Sequence, residues 1–331
     1  MASYAVIGAT SWGVTLAWLL SRNEHDITLI TRDRDEERAV TQRRGLARLP
    51  EVRLGAQVSV LHASAAAGSP DGVVVAVPAQ SLRATLQATH LAHVPVLSAA
   101  KGIEHGTGLL MSEVLRDLGW RAESIAVLSG PNLAHEIAKG LPAASVVASA
   151  GPGLAASWQR ALSGGAFRAY TSGDVVGVEL GGAFKNVIAI AAGAAWGLSF
   201  GANAVATIMT RGLAEMTRLG TAMGARPLTF QGLAGVGDLA ATCFSPLSRN
   251  RRLGELLAQG KTPGEALAAI GEAVEGAATA PVALALARRY AIDLPIAEQV
   301  VAVLEGRRDV RAAMTELLSR PLKPETGGPT G

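Results

Sequence analysis

Lys185 stands where a lysine is costly. With Asn186 it leads from Glu179-Leu-Gly-Gly-Ala-Phe-Lys-Asn-Val-Ile-Ala-Ile190 into a stretch, Asn186 to Thr210, that contains no ionisable side chain. Leu180, Phe184, Val187, Ile188 and Ala191 recur at helical spacing, which predicts a helix buried on several sides. Burial strips water from an ammonium and draws its pKa toward the range useful for proton transfer, so Lys185 is the candidate acid-base group. The plainer alternative is a lysine that snorkels to the surface from the helix start. Asp238, in Gly235-Val-Gly-Asp-Leu-Ala-Ala-Thr242, is an acid in an apolar, glycine-rich context. It is expected to be buried and paired, and Lys185 is the obvious partner.

Other segments carry residues suited to anions. Ser248, Arg249 and Asn250 open a predicted helix, and hydroxyl, guanidinium and amide donors at a helix start form a natural phosphate seat. Their alternative reading is a solvated basic turn or an ordinary cap. Ala5-Val-Ile-Gly-Ala-Thr-Ser-Trp-Gly13 joins a first strand to a first helix, where a dinucleotide pyrophosphate rests against backbone amides. Gly8 and Gly13 fit that turn, but Thr10 stands at the position of a third glycine. The second strand ends Leu29-Ile-Thr-Arg-Asp-Arg34. An acid at its end selects the ribose 2′-hydroxyl of NAD(H); Arg32 there suits the 2′-phosphate of NADP(H), which is the favoured cofactor. Asp33 keeps NAD(H) open. Lys101, in Ser98-Ala-Ala-Lys-Gly-Ile103, and Asn132, in Leu128-Ser-Gly-Pro-Asn-Leu-Ala134, follow two further strands and would line one crevice at the sheet's carboxyl edge.

These residues need a framework, and 331 residues are enough for two cores. In the first half, β-branched runs at Tyr4–Ile7, Ile27–Ile30, Val73–Val77, Val94–Ser98, Ile125–Leu128 and Ser145–Val147 read as buried parallel strands separated by helices. After about Ser172 helical patterns dominate, several with recognisable caps such as Thr262-Pro263. The predicted class is α/β: a doubly wound Rossmann-type domain over residues 1–173, then an all-α substrate domain over 174–331. The apolar stretch Val187–Met209 is long enough to raise a membrane span, but Gly193, Gly197, Gly201 and Asn203 break it, so two packed core helices are expected. The tail Arg320–Gly331, rich in Pro and Gly, is expected to be mobile.

The bulk charge balance, 30 basic against 27 acidic residues, is a weak basic bias that suits a small anionic ligand and is no nucleic-acid footprint. A single cysteine, Cys243, excludes an intrachain disulfide framework and fits a reducing cytoplasm. No basic segment precedes the first apolar run, so no secretory signal is expected. Neither a basic amphipathic anchor nor a metal-ligand cluster stands out. A homodimer is compatible with the sequence without being required by it.

Taken together, these segments resemble the bacterial NAD(P)-dependent sn-glycerol-3-phosphate dehydrogenases over nearly the whole chain. The match is carried by Ser11-Trp-Gly13, Lys101-Gly102, Ser129-Gly-Pro131, Glu179–Asn186, Thr210-Arg-Gly-Leu-Ala-Glu-Met-Thr-Arg-Leu-Gly220, Gly237-Asp-Leu239, Ser248-Arg-Asn-Arg-Arg-Leu-Gly254 and Val274-Glu-Gly276. The resemblance implies reversible hydride transfer between NAD(P)H and C2 of dihydroxyacetone phosphate, giving sn-glycerol 3-phosphate for phospholipid synthesis. It also implies roles. Lys185 would be the proton donor to the ketone oxygen. Lys101, Gly130, Asn132, Asp238, Thr242, Ser248, Arg249 and Asn250 would border the substrate. Gly8, Ser11, Trp12, Gly13, Arg32, Lys101, Ala134, Arg249, Ala273 and Glu275 would contact the cofactor. Three departures from the family pattern stand out: Thr10 for Gly, Asn132 for Ser or Thr, and Ala277-Ala278 for Val-Arg. A reductase of another β-hydroxy acid, and a cofactor-binding sensor without catalysis, are the alternatives; the phosphate seat and the retained Lys185, Lys101 and Asp238 count against them.

Overall fold

The computed structural model describes residues 1–91, 93–322 and 324, and most of the tail expected to be mobile lies outside those residues. Ten strands are described: β1 (Ser3–Ile7), β2 (Asp26–Thr31), β3 (Val58–His62), β4 (Ala67–Gly68), β5 (Gly72–Val75), β6 (His90–Leu91), β7 (Val96–Ser98), β8 (Ile125–Ser129), β9 (Ala143–Ser149) and β10 (Phe167–Ser172). Eight of them form one sheet in the order β10-β9-β8-β7-β5-β1-β2-β3, while β4 and β6 pair separately. Helices cover both faces, so the central strands are apolar throughout: Val6, Leu29, Val74 and Leu97 are fully buried. This is the doubly wound arrangement, with the carboxyl ends of β1, β5, β7 and β8 opening along one edge.

One expectation fails at β9. It pairs antiparallel to β8, with Leu128 opposite Val147. The connection leaves β8 at the carboxyl edge, runs through the short helix Ala134–Ala138 and re-enters the sheet at that same edge, so no crossover reverses it. Strands β3 and β10 are also absent from the sequence prediction. They lie at the two ends of the sheet and are partly exposed, so neither shows a continuous apolar run.

Beyond Ser172 the described residues are helical, and Val175–Gly197 forms the axis of that half. Every residue from Gly177 to Ala195 along it is buried. It is long and apolar enough to cross a membrane, yet 89% of its apolar window is buried inside the structure. The chain breaks at Leu198–Phe200 and continues as Gly201–Ala222, two packed helices as the glycines suggested. Against the axis packs Arg249–Ala258, and the two backbones touch. A Cβ on Gly254 would stand 2.0 Å from the Ile190 carbonyl oxygen, and one on Gly193 would stand 1.9 Å from that of Arg251. Only glycine permits this approach.

Two buried carboxyls fasten helices to this frame. Glu179, on the axis helix, accepts the Ser112 N–H at 2.8 Å and the Ser112 hydroxyl, tying the helix Met111–Asp117 to it. Glu215 accepts the N–H groups of Ile296 and Ala297 at 2.7 and 3.3 Å and so caps the helix Pro295–Leu304. Burial pushes each up from 4.5 to about 7. A rise of that size corresponds to roughly 3 kcal/mol. Because the folded pKa exceeds the unfolded one, this contribution is full below about 4.5 and is lost as pH rises through about 7. The double variant E179Q/E215Q should therefore match the wild-type Tm near pH 4.5 and exceed it at pH 8; calorimetry across that range would show a constant gap if the carboxyls were not neutralised by burial.

Candidate active site

The two halves meet at the sheet's carboxyl edge, and the residues singled out by type gather there. Lys185, buried on the axis helix, donates to Asp238 Oδ1 and to Thr242 Oγ1, both at 2.6 Å. Thr242 Oγ1 in turn donates to the Asp238 carbonyl at 2.6 Å, one helical turn back in Asp238–Phe244. The other carboxylate oxygen of Asp238 accepts from Lys101 Nζ, again at 2.6 Å. Lys101 also donates to the Gly130 carbonyl at 2.8 Å. Asp238 thus bridges two ammoniums, one from each half of the chain, where the sequence had suggested only the Lys185 partnership.

A lysine carries three donors and no acceptor. Each of these two places a pair of donors on protein, which leaves each ammonium one N–H for an incoming oxygen. Desolvation pushes Lys101 down to about 8; Asp238 opposes the shift and Lys185, a second cation close by, adds to it. The site therefore gathers more positive than negative charge in a setting with little water, which suits an anionic ligand whose reacting oxygen develops charge. The Cys243 thiol, behind Lys185, is pushed up to about 12 by burial and is inert there.

Around this centre an amide chain joins three helices. Asn250 donates to Asn186 Oδ1 at 2.9 Å and accepts the Gly276 N–H at 2.9 Å, while Asn186 donates to the Gly182 carbonyl at 3.2 Å. Asn250 was expected to face a ligand; both ends of its amide are committed, with one N–H left. Ser248 caps Arg249–Ala258 by accepting the Arg251 N–H at 3.2 Å. Arg249 pairs with Glu272 at 3.2 Å, and both side chains are about half exposed (46% and 51%), a pairing of little energy. Asn132 Oδ1 accepts the Ser145 hydroxyl, and its Nδ2 is buried without a protein partner. Asn186 and Ser145 are parts of the network that sequence reasoning did not single out; the adjacency of Asn186 to Lys185 was the available signal.

At the amino end, Gly8 has φ +107° and a Cβ there would meet Ala76 O at 2.9 Å; a Cβ on Gly13 would stand 2.0 Å from the Gly8 carbonyl. Thr10 is the cap of Ser11–Arg22. Its Oγ1 accepts the Gly13 N–H at 2.9 Å and donates to the Ala76 carbonyl at 2.8 Å, so the departure from glycine locks the turn to the end of β5. Trp12 packs against the core of the sheet. Ala134 opens the helix Ala134–Ala138. At the end of β2 the Arg32 side chain is 81% exposed and pairs with Asp33 at 3.0 Å, while Asp33 caps the next helix through the Glu36 N–H at 2.8 Å. Glu275 accepts the Ala79 N–H at 3.2 Å across the two halves, and burial raises its pKa; Ala273 lies exposed just before it.

Comparison with known proteins identifies the family. Residues 3–155 match the family described as NAD-dependent glycerol-3-phosphate dehydrogenase N-terminus, and residues 174–315 match its C-terminus counterpart. The glycerol-3-phosphate dehydrogenase (NAD(P)+) of Nitrosococcus oceani is 46% identical over 325 residues, covering 97% of this chain and 94% of the relative. The protein of the same name from Streptomyces griseus is also 46% identical, over 327 residues and 97% of each chain. The crystal structure of the glycerol-3-phosphate dehydrogenase of Coxiella burnetii is similar with a TM-score of 0.89 at 35% identity, covering 96% of this chain and 99% of the other. With two matched segments that span most of the sequence, the chain belongs to the NAD-dependent glycerol-3-phosphate dehydrogenase family.

Proposed function

We propose that this enzyme reduces dihydroxyacetone phosphate reversibly to sn-glycerol 3-phosphate, with Lys185 as the proton donor in that direction and the acceptor in the other. The observation that carries the reading is the buried Lys185–Asp238–Lys101 bridge, in which each ammonium keeps one donor for substrate. As hydride reaches the carbonyl carbon, negative charge builds on the oxygen; the remaining Lys185 N–H is placed to protonate it and Lys101 to stabilise it. Asp238 holds the two cations together and fixes the direction of their free donors. The substrate phosphate is assigned to Arg249, whose weak pairing with Glu272 is easily exchanged, beside the Ser248 cap and Asn250. Gly130, Asn132 and Thr242 complete the substrate wall.

The residues present fit a nicotinamide dinucleotide, which supplies the hydride when bound. The Gly8–Gly13 turn is closed to side chains and opens onto a helix N-terminus, the usual seat of a pyrophosphate. Ser11, Trp12, Ala134, Ala273 and Glu275 are assigned to hold it. We assign residues 1–173 to the cofactor and 174–331 to the substrate. NADPH is the preferred form in this reading, because Asp33 is occupied as a helix cap while Arg32 reaches solvent in an exposed, easily exchanged pair. A role in supplying phospholipid synthesis in the cytoplasm accords with the family resemblance and with a single, buried cysteine.

Steady-state kinetics and a pH profile check this. Purified protein should oxidise NADPH rapidly with dihydroxyacetone phosphate and far more slowly with unphosphorylated dihydroxyacetone. K185M should lower kcat by about 100-fold or more while NADPH affinity stays within about twofold. Equal rates on the two ketones would remove the phosphate assignment, and wild-type turnover in K185M would remove the lysine's role. The pH profile gives the second test. Lys101 loses its proton above about 8, so kcat/KM for the phosphorylated ketone should fall above that pH. K101R stays charged, and its residual activity should lack that limb; an unchanged limb in K101R would assign it elsewhere.

A further inference from the structure

Arg48 lies in the segment between the helix Arg34–Arg43 and β3, a run with no regular secondary structure whose neighbours are nonetheless fixed. Leu46, Leu49, Val52 and Leu54 are buried in the core of the sheet. Arg44, with φ +55°, turns the chain after the helix and donates to the Leu54 carbonyl at 3.2 Å, while Leu54 N–H returns to the Arg44 carbonyl at 2.8 Å. At the far end Glu51 accepts from His135 at 3.2 Å and pairs with Lys139 at 3.8 Å, joining the loop to the segment after β8. The loop therefore spans from the glycine turn to the helix beginning at Ala134, along the crevice assigned to the cofactor.

On this support the Arg48 guanidinium reaches the turn itself. Nη2 donates to the Ala9 carbonyl at 2.9 Å and Nε donates to Ser11 Oγ at 3.2 Å. Ala9 and Ser11 flank Thr10, the cap of the first helix. A guanidinium has five N–H donors, so three remain after these two bonds. Among the described residues no carboxylate is paired with Arg48, in contrast to Arg32, Arg83 and Arg249. An unpaired, always-charged fork pinned to the rim of a diphosphate-binding turn has its hydrogen-bonding geometry set before any ligand arrives.

We propose that Arg48 is a pyrophosphate-binding residue of the dinucleotide site, serving NADH and NADPH alike. The proposal rests on the dinucleotide reading of the site. It separates two arginine functions: Arg32, at the end of β2, answers to the adenosine 2′-position, whereas Arg48 answers to the diphosphate common to both cofactors.

Fluorescence titration of NADPH and NADH, without substrate, tests this on wild type, R48Q, R48K and R32Q. R48Q should weaken both cofactors by about tenfold, with thermal stability of the free protein within a few degrees of wild type. R48K should restore most of the affinity, because it keeps the charge. R32Q should weaken NADPH alone. Adenosine 2′-phosphate, which has no diphosphate, should bind R48Q as it binds wild type when measured by competition. Wild-type affinity in R48Q would overturn the proposal. So would equal losses in R48Q and R48K accompanied by equal losses of stability, since the guanidinium would then act only as a structural tie. Wild-type protein that binds neither cofactor would overturn the dinucleotide reading together with the proposal.

Discussion

One carboxylate organises this site. Asp238 is almost fully buried and holds an ammonium on each oxygen at 2.6 Å, Lys185 from the helical half and Lys101 from the sheet edge. Two cations in a desolvated place repel one another, and the anion between them is what allows both to be there. The arrangement also answers where the protons go. Thr242 and the Gly130 carbonyl take one donor from each lysine, and what remains is a pair of donors fixed in space.

Much of the architecture serves that bridge. The axis helix is buried on all sides, so Lys185 cannot swing to solvent, and the glycine contacts bring Arg249–Ala258 directly against that helix. Asn186, Asn250 and Gly276 join three helices by hydrogen bonds of 2.9 Å. Glu179 and Glu275 cross from the helical half to the sheet half, accepting backbone N–H groups of Ser112 and Ala79. Each of these contacts joins elements distant in sequence, so the geometry at Lys101 and Lys185 depends on how the two halves are seated. Buried polar groups of this kind are costly unless satisfied, and here nearly every one named has its partner.

The lysine was legible in the sequence because nothing charged follows it for more than six turns of helix, and Asp238 because an acid among glycines and alanines has to be explained. The doubly wound half was legible from its apolar strands, and the capped helices from signals such as Thr262-Pro263. The Lys185–Asp238 pair was legible from burial alone; what could not be read is the second pairing of Asp238 across the fold. Lys101 and Asp238 are 137 positions apart, and no local pattern announces their contact. The reversal of β9 depends on which edge the chain re-enters, a property of the connection and not of the strand. Arg48 stands near Arg43, Arg44 and Arg53 in the sequence, and composition does not tell which of them reaches the glycine turn. Thr10 read as a defect of the glycine turn; its hydroxyl proves to be the cap and lock of that turn.

The measurement that tests the central claim most directly is the pH dependence of kcat/KM in D238N, beside an NADPH titration of the same variant. Asparagine keeps the shape of the side chain and removes the charge between the lysines. The account predicts that cofactor affinity survives, that kcat/KM falls by about 100-fold or more, and that its alkaline limb moves to lower pH, because Lys101 loses the anion that opposes its desolvation. A profile and rate like those of the wild type would contradict it.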